Sequence, residues 1–172
     1  MGGASCRETV VILRDVVPSD VAQILAFWNP QIRDTAITFT TELKTEAGLL
    51  ADISACATEG RAFLVAEREG RVVGLATWGA FRKGPGYAHT GEHSVLLIPE
   101  EKGRGTGRAL MTALEGRARA AGLHVLVAGV SSENPGAVAF HEALGYVRAG
   151  DLPQVGRKFG RWMDLILLHK TL

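Results

Sequence analysis

Cysteine is scarce in this sequence. Its 172 residues include two, Cys6 and Cys56, far apart and without metal-ligand spacing around them, so neither a disulfide framework nor a cysteine-based metal site has support. No metal is expected, and a reducing, cytoplasmic setting is. An excess of one charge is missing too. Nineteen Lys and Arg stand against 18 Asp and Glu, a formal +1 at neutral pH, which lacks the basic footprint of a protein that binds nucleic acid or an anionic membrane. No apolar run approaches the roughly 18 residues of a spanning helix, and the start lacks the charged-then-apolar order of a signal peptide. The opening Met1-Gly2-Gly3-Ala4-Ser5-Cys6 comes near a myristoylation pattern but carries Cys6 where Ser or Thr is wanted. Residues 1–8 therefore read as a loose tail. Neither an internal repeat nor a low-complexity linker interrupts the rest. With 47% hydrophobic and 22% charged residues, the chain can build a core and is not disordered, so one domain spanning 1–172 with a small ligand is the expectation.

The pattern of apolar residues lays out the elements. Val10 to Leu13 suits a strand, and Pro18-Ser19-Asp20 supplies a turn and cap before a helix carrying Val21, Ile24, Leu25 and Trp28, which Pro30 is expected to stop. A second helix is predicted over Glu46 to Thr58. Phe63 to Glu67 and Val72 to Trp78 read as a hairpin turning at Gly70, Arg82 to Tyr87 as a loop, and Glu92 to Ile98 as a third strand. Gly105 to Ala121 has a helical apolar face closed by Gly122, Val125 to Val130 is an apolar strand, and Asn134 caps a helix that starts at Pro135 and ends at Gly145. Tyr146 to Arg148 and Asp164 to Leu168 look like closing strands. The fold class that follows is α/β, a mixed sheet with helices on its faces.

Twenty-one glycines punctuate the chain, and three fall in Lys102-Gly103-Arg104-Gly105-Thr106-Gly107-Arg108. Amides at a helix start lack intrahelical partners and sit at the positive end of the dipole, so this loop is a natural phosphate cradle. Lys102, Arg104 and Arg108 add charge suited to a pyrophosphate. The nucleotide P-loop would need Gly-Lys-Ser/Thr, which is absent, and the dinucleotide fingerprint lacks its third glycine. A plain tight turn remains the alternative.

Lys102 to Gly107 resembles the acyl-CoA pyrophosphate loop of the GCN5-related N-acetyltransferases (GNAT superfamily), with Lys102 in place of the family's arginine or glutamine. The element order from Glu92 to Leu144 is similar to that family's core. Leu64-Val65-Ala66-Glu67, Thr90-Gly91-Glu92-His93-Ser94-Val95, His141-Glu142-Ala143-Leu144-Gly145-Tyr146 and, most specifically, the block from Val155 to Asp164 resemble its phosphinothricin acetyltransferase branch. The resemblance implies acetyl-CoA as co-substrate, with the pantetheine arm on backbone groups of Val95, Leu96 and Leu97, the pyrophosphate on Lys102 to Arg108, and Asn134 touching the arm. It also implies a homodimer.

Acetyl transfer to an amine needs a base, since a free α-amino group has a pKa of roughly 8. Glu92 opens an otherwise apolar strand, where an ionised side chain is costly unless it meets water or a partner. Alone it reads as a rim carboxylate, but the resemblance places the family's catalytic carboxylate at Glu92. His141 lies in register with Ala137, Phe140 and Leu144, as a core histidine would, and the resemblance makes it a second acid-base candidate where many relatives carry tyrosine. For the substrate pocket the resemblance points to Phe39, Phe81, Arg82, Tyr87, Thr90, Lys158 and Trp162. Ala88 stands where many relatives have a second arginine, and Gly91 replaces a branched residue. The activity so implied is N-acetylation of the α-amino group of a small amino-acid-like compound of the phosphinothricin, methionine sulfone or methionine sulfoximine type. An acetyltransferase for protein N-termini or lysines, which a peptide panel would reveal, and a silent acyl-CoA sensor, which would bind without releasing thiol, are the alternatives.

Overall fold

The computed structural model describes residues 10–172; the expected tail at 1–8 lies outside them. Strand β1 (Ile12–Asp15) leads to helices α1 (Val21–Asp34) and α2 (Glu46–Thr58), then to strands β2 (Phe63–Arg68), β3 (Arg71–Ala80) and β4 (Thr90–Leu97). Helix α3 (Thr106–Ala120), strand β5 (Val125–Ser131), helix α4 (Pro135–Ala143) and the hairpin β6 (Val147–Lys158) and β7 (Arg161–Thr171) complete the order. All seven strands form one sheet in the order β1-β2-β3-β4-β5-β7-β6. Only β4 and β5 run parallel, and α3 makes the crossover that parallel neighbours require. None of these helices is long and apolar enough to cross a membrane.

Period-two alternation gives the sheet two apolar faces. Ala76, Trp78, Leu126 and Val130 pack with Leu110, Met111 and Leu114 of α3, and α4 joins them through Ala137, Val138 and Phe140. Phe63, Val65 and Leu75 pack on the other face with Ile24 of α1 and Leu49 of α2. Helix starts follow their caps: Thr45 Oγ1 accepts from Gly48 N at 3.1 Å ahead of α2, and Asn134 Oδ1 accepts from Ala137 N at 3.3 Å ahead of α4.

Helix α1 and both strands of the closing hairpin run well past their sequence signals. Helix α1 continues through Pro30 to Asp34; an internal proline costs about 3 kcal/mol, against which the last turn buries Ile32 completely and has its Ile32 carbonyl capped by Lys158. The closing hairpin extends well beyond Tyr146–Arg148 and Asp164–Leu168, because its register shifts between Leu152 and Gly156 and most of β6 is exposed, which erases the alternation.

The sheet is parted at its centre. Strands β4 and β5 pair only at Thr90↔Val125, Gly91↔Leu126 and Glu92↔Val127, although β4 stays with β3 through Leu97 and β5 stays with β7 through Ser131. Close packing holds β4 in this course. A Cβ at Gly74, opposite Leu97, would lie 2.4 Å from Leu97 Cδ2 and 2.9 Å from the Leu96 carbonyl oxygen. Gly74→Ala should therefore lower stability by about 1–3 kcal/mol, read as a fall in the urea midpoint at unchanged slope; an unchanged midpoint would contradict this packing.

Candidate active site

The parting of β4 from β5 opens a cleft of about 380 Å³, lined by Ser94, Val95, Leu96, Gly129, Asn134 and His141 together with Trp28, Thr38, Thr40 and Lys44 from the α1–α2 side. Hydrogen bonds Phe81 N to Thr90 O (3.3 Å) and Ile98 N to Val73 O (3.0 Å) bracket the β3–β4 ladder. In an antiparallel ladder, paired and unpaired residues alternate, so Ser94 and Leu96 spend their backbone groups on β3. Val95 and Leu97 turn theirs toward the missing strand. The Leu97 carbonyl accepts from Gln31 Nε2 at 3.2 Å, leaving both groups of Val95 and the Leu97 amide open among the described residues. Of the three residues expected to hold the pantetheine arm by backbone, Val95 and Leu97 thus present it to the cleft, whereas Leu96 presents its side chain.

The glycine loop lies at the end of this strand. Gly103 and Gly105 have φ of 76° and 82°, a region that excludes most side chains, and Gly105 is the N-terminal cap of α3. The amides of Thr106, Gly107 and Arg108 are in the first helical turn, which has no internal acceptors for them, and those of Gly103 and Gly105 donate to no backbone acceptor among the described residues. Lys102, Arg104 and Arg108 are exposed around them. The loop is anchored from below by a residue its spacing does not announce. Glu101, 2% exposed, accepts from Thr106 Oγ1 at 2.6 Å and from Arg68 at 3.0 and 3.2 Å, and pairs with Arg104 at 3.2 Å. Burial opposes its ionisation, but the hydroxyl and the two guanidinium groups outweigh it and hold its carboxyl below the usual range. The Thr106 side chain is thereby occupied, and Arg108 reaches the Ala143 carbonyl at 3.3 Å. A diphosphate would fit the open amides and the exposed cations.

Glu92 sits at the last paired position before the strands separate. By alternation it shares a face with Ser94 and Leu96. Its carboxyl lies over β5, where a Cβ at Gly129 would be 3.0 Å from Oε1. A glycine inside an otherwise apolar strand is the sequence signal for such an approach. Among the described residues nothing donates a hydrogen bond to this carboxyl, and desolvation by its surroundings pushes its pKa up although the side chain remains exposed.

On the opposite face, His141 and His93 stack with ring centroids 5.1 Å apart and planes at 24°, both within 5.4 Å of the Tyr146 ring. His141 Nδ1 lies 2.7 Å from the Ala137 carbonyl oxygen. A carbonyl can only accept, so Nδ1 carries the proton and Nε2 keeps a lone pair, buried without a partner. Burial lowers the pKa of His141, the Ala137 bond opposing it, and pushes His93 down to about 3 with help from His141. Burial thus favours the neutral form of both rings.

The substrate candidates fall into two groups. Arg82, Tyr87 and Thr90 line a second hollow of about 470 Å³ beside Gly79 and Gly91, where Phe81 and Tyr87 meet edge to face at 6.1 Å and the Arg82 guanidinium lies over Phe81 at 5.2 Å. Gly91 is demanded by its neighbours, since a Cβ there would lie 2.5 Å from Leu123 and 3.1 Å from Trp78. Phe39, Lys158 and Trp162 are elsewhere. Phe39 packs on Gly156 of β6, Trp162 is 58% exposed with Arg157 over its ring, and Lys158 is 4% exposed with its ammonium bound to the Ile32 and Thr38 carbonyls at 2.5 and 2.9 Å. No cluster of His, Cys, Asp and Glu suited to a metal occurs among the described residues.

Comparison with known proteins fits this geometry. Residues 13–167 match the family described as Acetyltransferase (GNAT) domain. The chain is 38% identical over 161 residues to the L-methionine sulfoximine/L-methionine sulfone acetyltransferase of Pseudomonas paraeruginosa, covering 93% of this chain and 94% of that protein. A GNAT superfamily phosphinothricin acetyltransferase from Sinorhizobium meliloti, solved in complex with acetyl-CoA, superposes with a TM-score of 0.89 at 32% identity, covering 94% of this chain and 88% of the other. A ribosomal-protein-alanine N-acetyltransferase from Brucella melitensis superposes with a TM-score of 0.90 at 36% identity, covering 94% and 99%.

The stacked histidines generate a pH dependence. A histidine whose pKa is 6.5 when free and about 3 when folded binds fewer protons in the native state, so its contribution is full above about 6.5 and is lost as pH falls toward 3. Thermal unfolding should shift to lower temperature across that window, and His93→Leu should flatten the slope by up to about 1.4 kcal/mol per pH unit. An unchanged slope in the variant would mean that His93 titrates normally in the folded protein.

Proposed function

The chain belongs to the GNAT acetyltransferase family, and from that premise we propose that it acetylates the α-amino group of a small amino-acid-like substrate of the methionine sulfone, methionine sulfoximine or phosphinothricin type, with Glu92 as general base. It is an acetyl-CoA-dependent acyltransferase with the mixed α/β fold of that family. The observation that carries the finer reading is the Glu92 carboxyl, unpartnered, raised in pKa and placed where the sheet opens.

Acetyl-CoA supplies the activated acetyl group. Val95 and the Leu97 amide would hold its pantetheine arm as an added strand would be held, Asn134 would meet the arm at the start of α4, and the open amides of Gly103 to Arg108 with Lys102, Arg104 and Arg108 would hold the diphosphate. The substrate amine is mainly an ammonium at neutral pH, with a pKa of roughly 8. A carboxylate whose pKa is raised takes that proton more readily than an ordinary one, and no hydrogen bond has to be broken first. His141, with its proton committed to the Ala137 carbonyl, would accept at Nε2 before it could donate. Arg82 and Tyr87 support recognition of the substrate carboxylate and side chain at the hollow beside Gly79 and Gly91. Assembly as a homodimer belongs to this reading; Val155, Phe159 and Trp162, each more than half exposed, would be covered by a second copy.

The superposition on a ribosomal-protein-alanine N-acetyltransferase favours one second reading, acetylation of a protein N-terminus. Thiol release measured over methionine sulfone, methionine sulfoximine, phosphinothricin, the common amino acids and a panel of N-terminal peptides separates the two. Turnover concentrated on the small compounds is the predicted result, and turnover confined to peptides would overturn the proposal.

Glu92→Gln should lower kcat by about 100-fold or more, the contribution of a positioned base, while acetyl-CoA affinity by calorimetry stays within about twofold. Since the base must be ionised, wild-type activity should fall as pH drops through the raised Glu92 pKa, and the variant should lose that limb. Equal loss of affinity and turnover would make Glu92 structural.

A further inference from the structure

Lys158 is a buried cation without an acid. Its ammonium lies 126 residues from Ile32 in sequence yet donates to that carbonyl at 2.5 Å and to the Thr38 carbonyl at 2.9 Å, and among the described residues no carboxylate pairs with it. Ile32 belongs to the last turn of α1, whose carbonyls lack helical donors and carry the negative end of the dipole, which accounts for a charge in so dry a place. Thr38 belongs to the α1–α2 linker, and Ile37, Thr38 and Thr40 of that linker line the cleft between β4 and β5. A second contact joins the same two segments. The Phe39 ring sits where a side chain at Gly156 would be, the missing Cβ falling 2.3 Å from Phe39 Cδ2.

We propose that Lys158 is a positioning residue: with the Phe39–Gly156 contact it clamps the α1–α2 linker to β6, and so sets the amine-side wall of the cleft without touching the substrate. This deepens the acetyltransferase reading, on which its kinetic arm rests. The linker carries no regular structure between Thr35 and Thr45; its ends are tied to α1, through Thr35 Oγ1 donating to the Gln31 carbonyl at 2.6 Å and through Asn29, which accepts from Lys44 N at 2.9 Å and donates to the Lys44 carbonyl at 3.0 Å, but these bonds do not reach Thr38 and Phe39 in its middle. The clamp comes instead from the closing hairpin. Its effect is selective, because the linker faces Ser94 and Leu96 across the cleft while the glycine loop is anchored separately through Glu101 and Arg68. The amine site should loosen and the coenzyme site should not.

The test uses Lys158→Met, which keeps the apolar stem and removes the buried charge, and Gly156→Ala, which displaces Phe39 while keeping the lysine. In both variants, amide hydrogen exchange at residues 36–40 of the protein without ligands should quicken by about tenfold or more, with exchange in α3 unchanged. The KM for the best amine should rise about tenfold with the KM for acetyl-CoA within about twofold. An amino acid substrate and its carboxamide should be affected alike, since the lysine does not bind the carboxylate. Unchanged exchange at 36–40 would overturn the clamp whatever the enzyme acts on, and a penalty confined to the carboxylate-bearing substrate would make Lys158 a direct contact instead. Should Lys158→Met fail to fold, Gly156→Ala decides the matter by the same readouts. Failure of the wild-type protein to acetylate any small amine would remove the function proposed above and leave the exchange experiment standing.

Discussion

Backbone hydrogen bonding is the constraint from which the site follows. A strand in the middle of a sheet must pair its N–H and C=O groups on both sides or leave them facing solvent or a ligand. After Glu92, β4 loses β5 on one side while keeping β3 on the other. The cleft, the open groups of Val95 and Leu97 and the exposed Glu92 carboxyl are three consequences of that one separation. It is upheld at several points: Gly74 admits Leu97, Gly107 admits Leu97 and Phe140, and Gln31 takes the Leu97 carbonyl.

The two faces of β4 divide the chemistry. Glu92 and Ser94 look toward α1, α2 and their linker, where a substrate amine would enter. His93 and Val95 look toward α3 and α4, and there burial rather than hydrogen bonding dominates: two histidines stacked against Tyr146, with both ring nitrogens of His93 and Nε2 of His141 lacking a partner among the described residues. Such groups lower stability in a dry site. Their position at one wall of the cleft gives that wall polar atoms without charge, whereas the glycine loop beyond it concentrates positive charge through Lys102, Arg104 and Arg108 around open amides.

Much of this arrangement was legible in the residues. The run of elements, the cap at Asn134, the helix start at the glycine loop and the face shared by Glu92, Ser94 and Leu96 all come from local rules of period and capping, and the structure follows them. What was hidden depends on distant partners. Glu100 and Glu101 are adjacent identical residues, and what separates buried Glu101 from exposed Glu100 is the fold of the loop, which brings Thr106 to it, together with Arg68 from β2. Pro30 signals a helix end that the burial of Ile32 in the last turn and the capping of its carbonyl by Lys158, from a distant strand, override. Lys158 reads as a pocket charge in sequence, yet its ammonium is spent on α1 and the linker. The extended β6 escaped because its register slips and its side chains meet water on both sides. Phe39, Trp162 and Arg82 share a motif-based expectation but are dispersed over the contact of the linker with β6, the hairpin surface and the hollow beside Gly91, a distribution that only tertiary packing decides.

The account stands most directly on which backbone groups of β4 are free. Residue-resolved amide exchange, measured with and without acetyl-CoA, tests this within three consecutive residues. The prediction is fast exchange at Val95 and Leu97 in the free protein, protection of both once acetyl-CoA is added, and protection of Leu96 throughout. Equal protection of all three amides without the coenzyme, or no change at Val95 and Leu97 on its addition, would contradict the claim that the gap beside β4 is where the coenzyme binds.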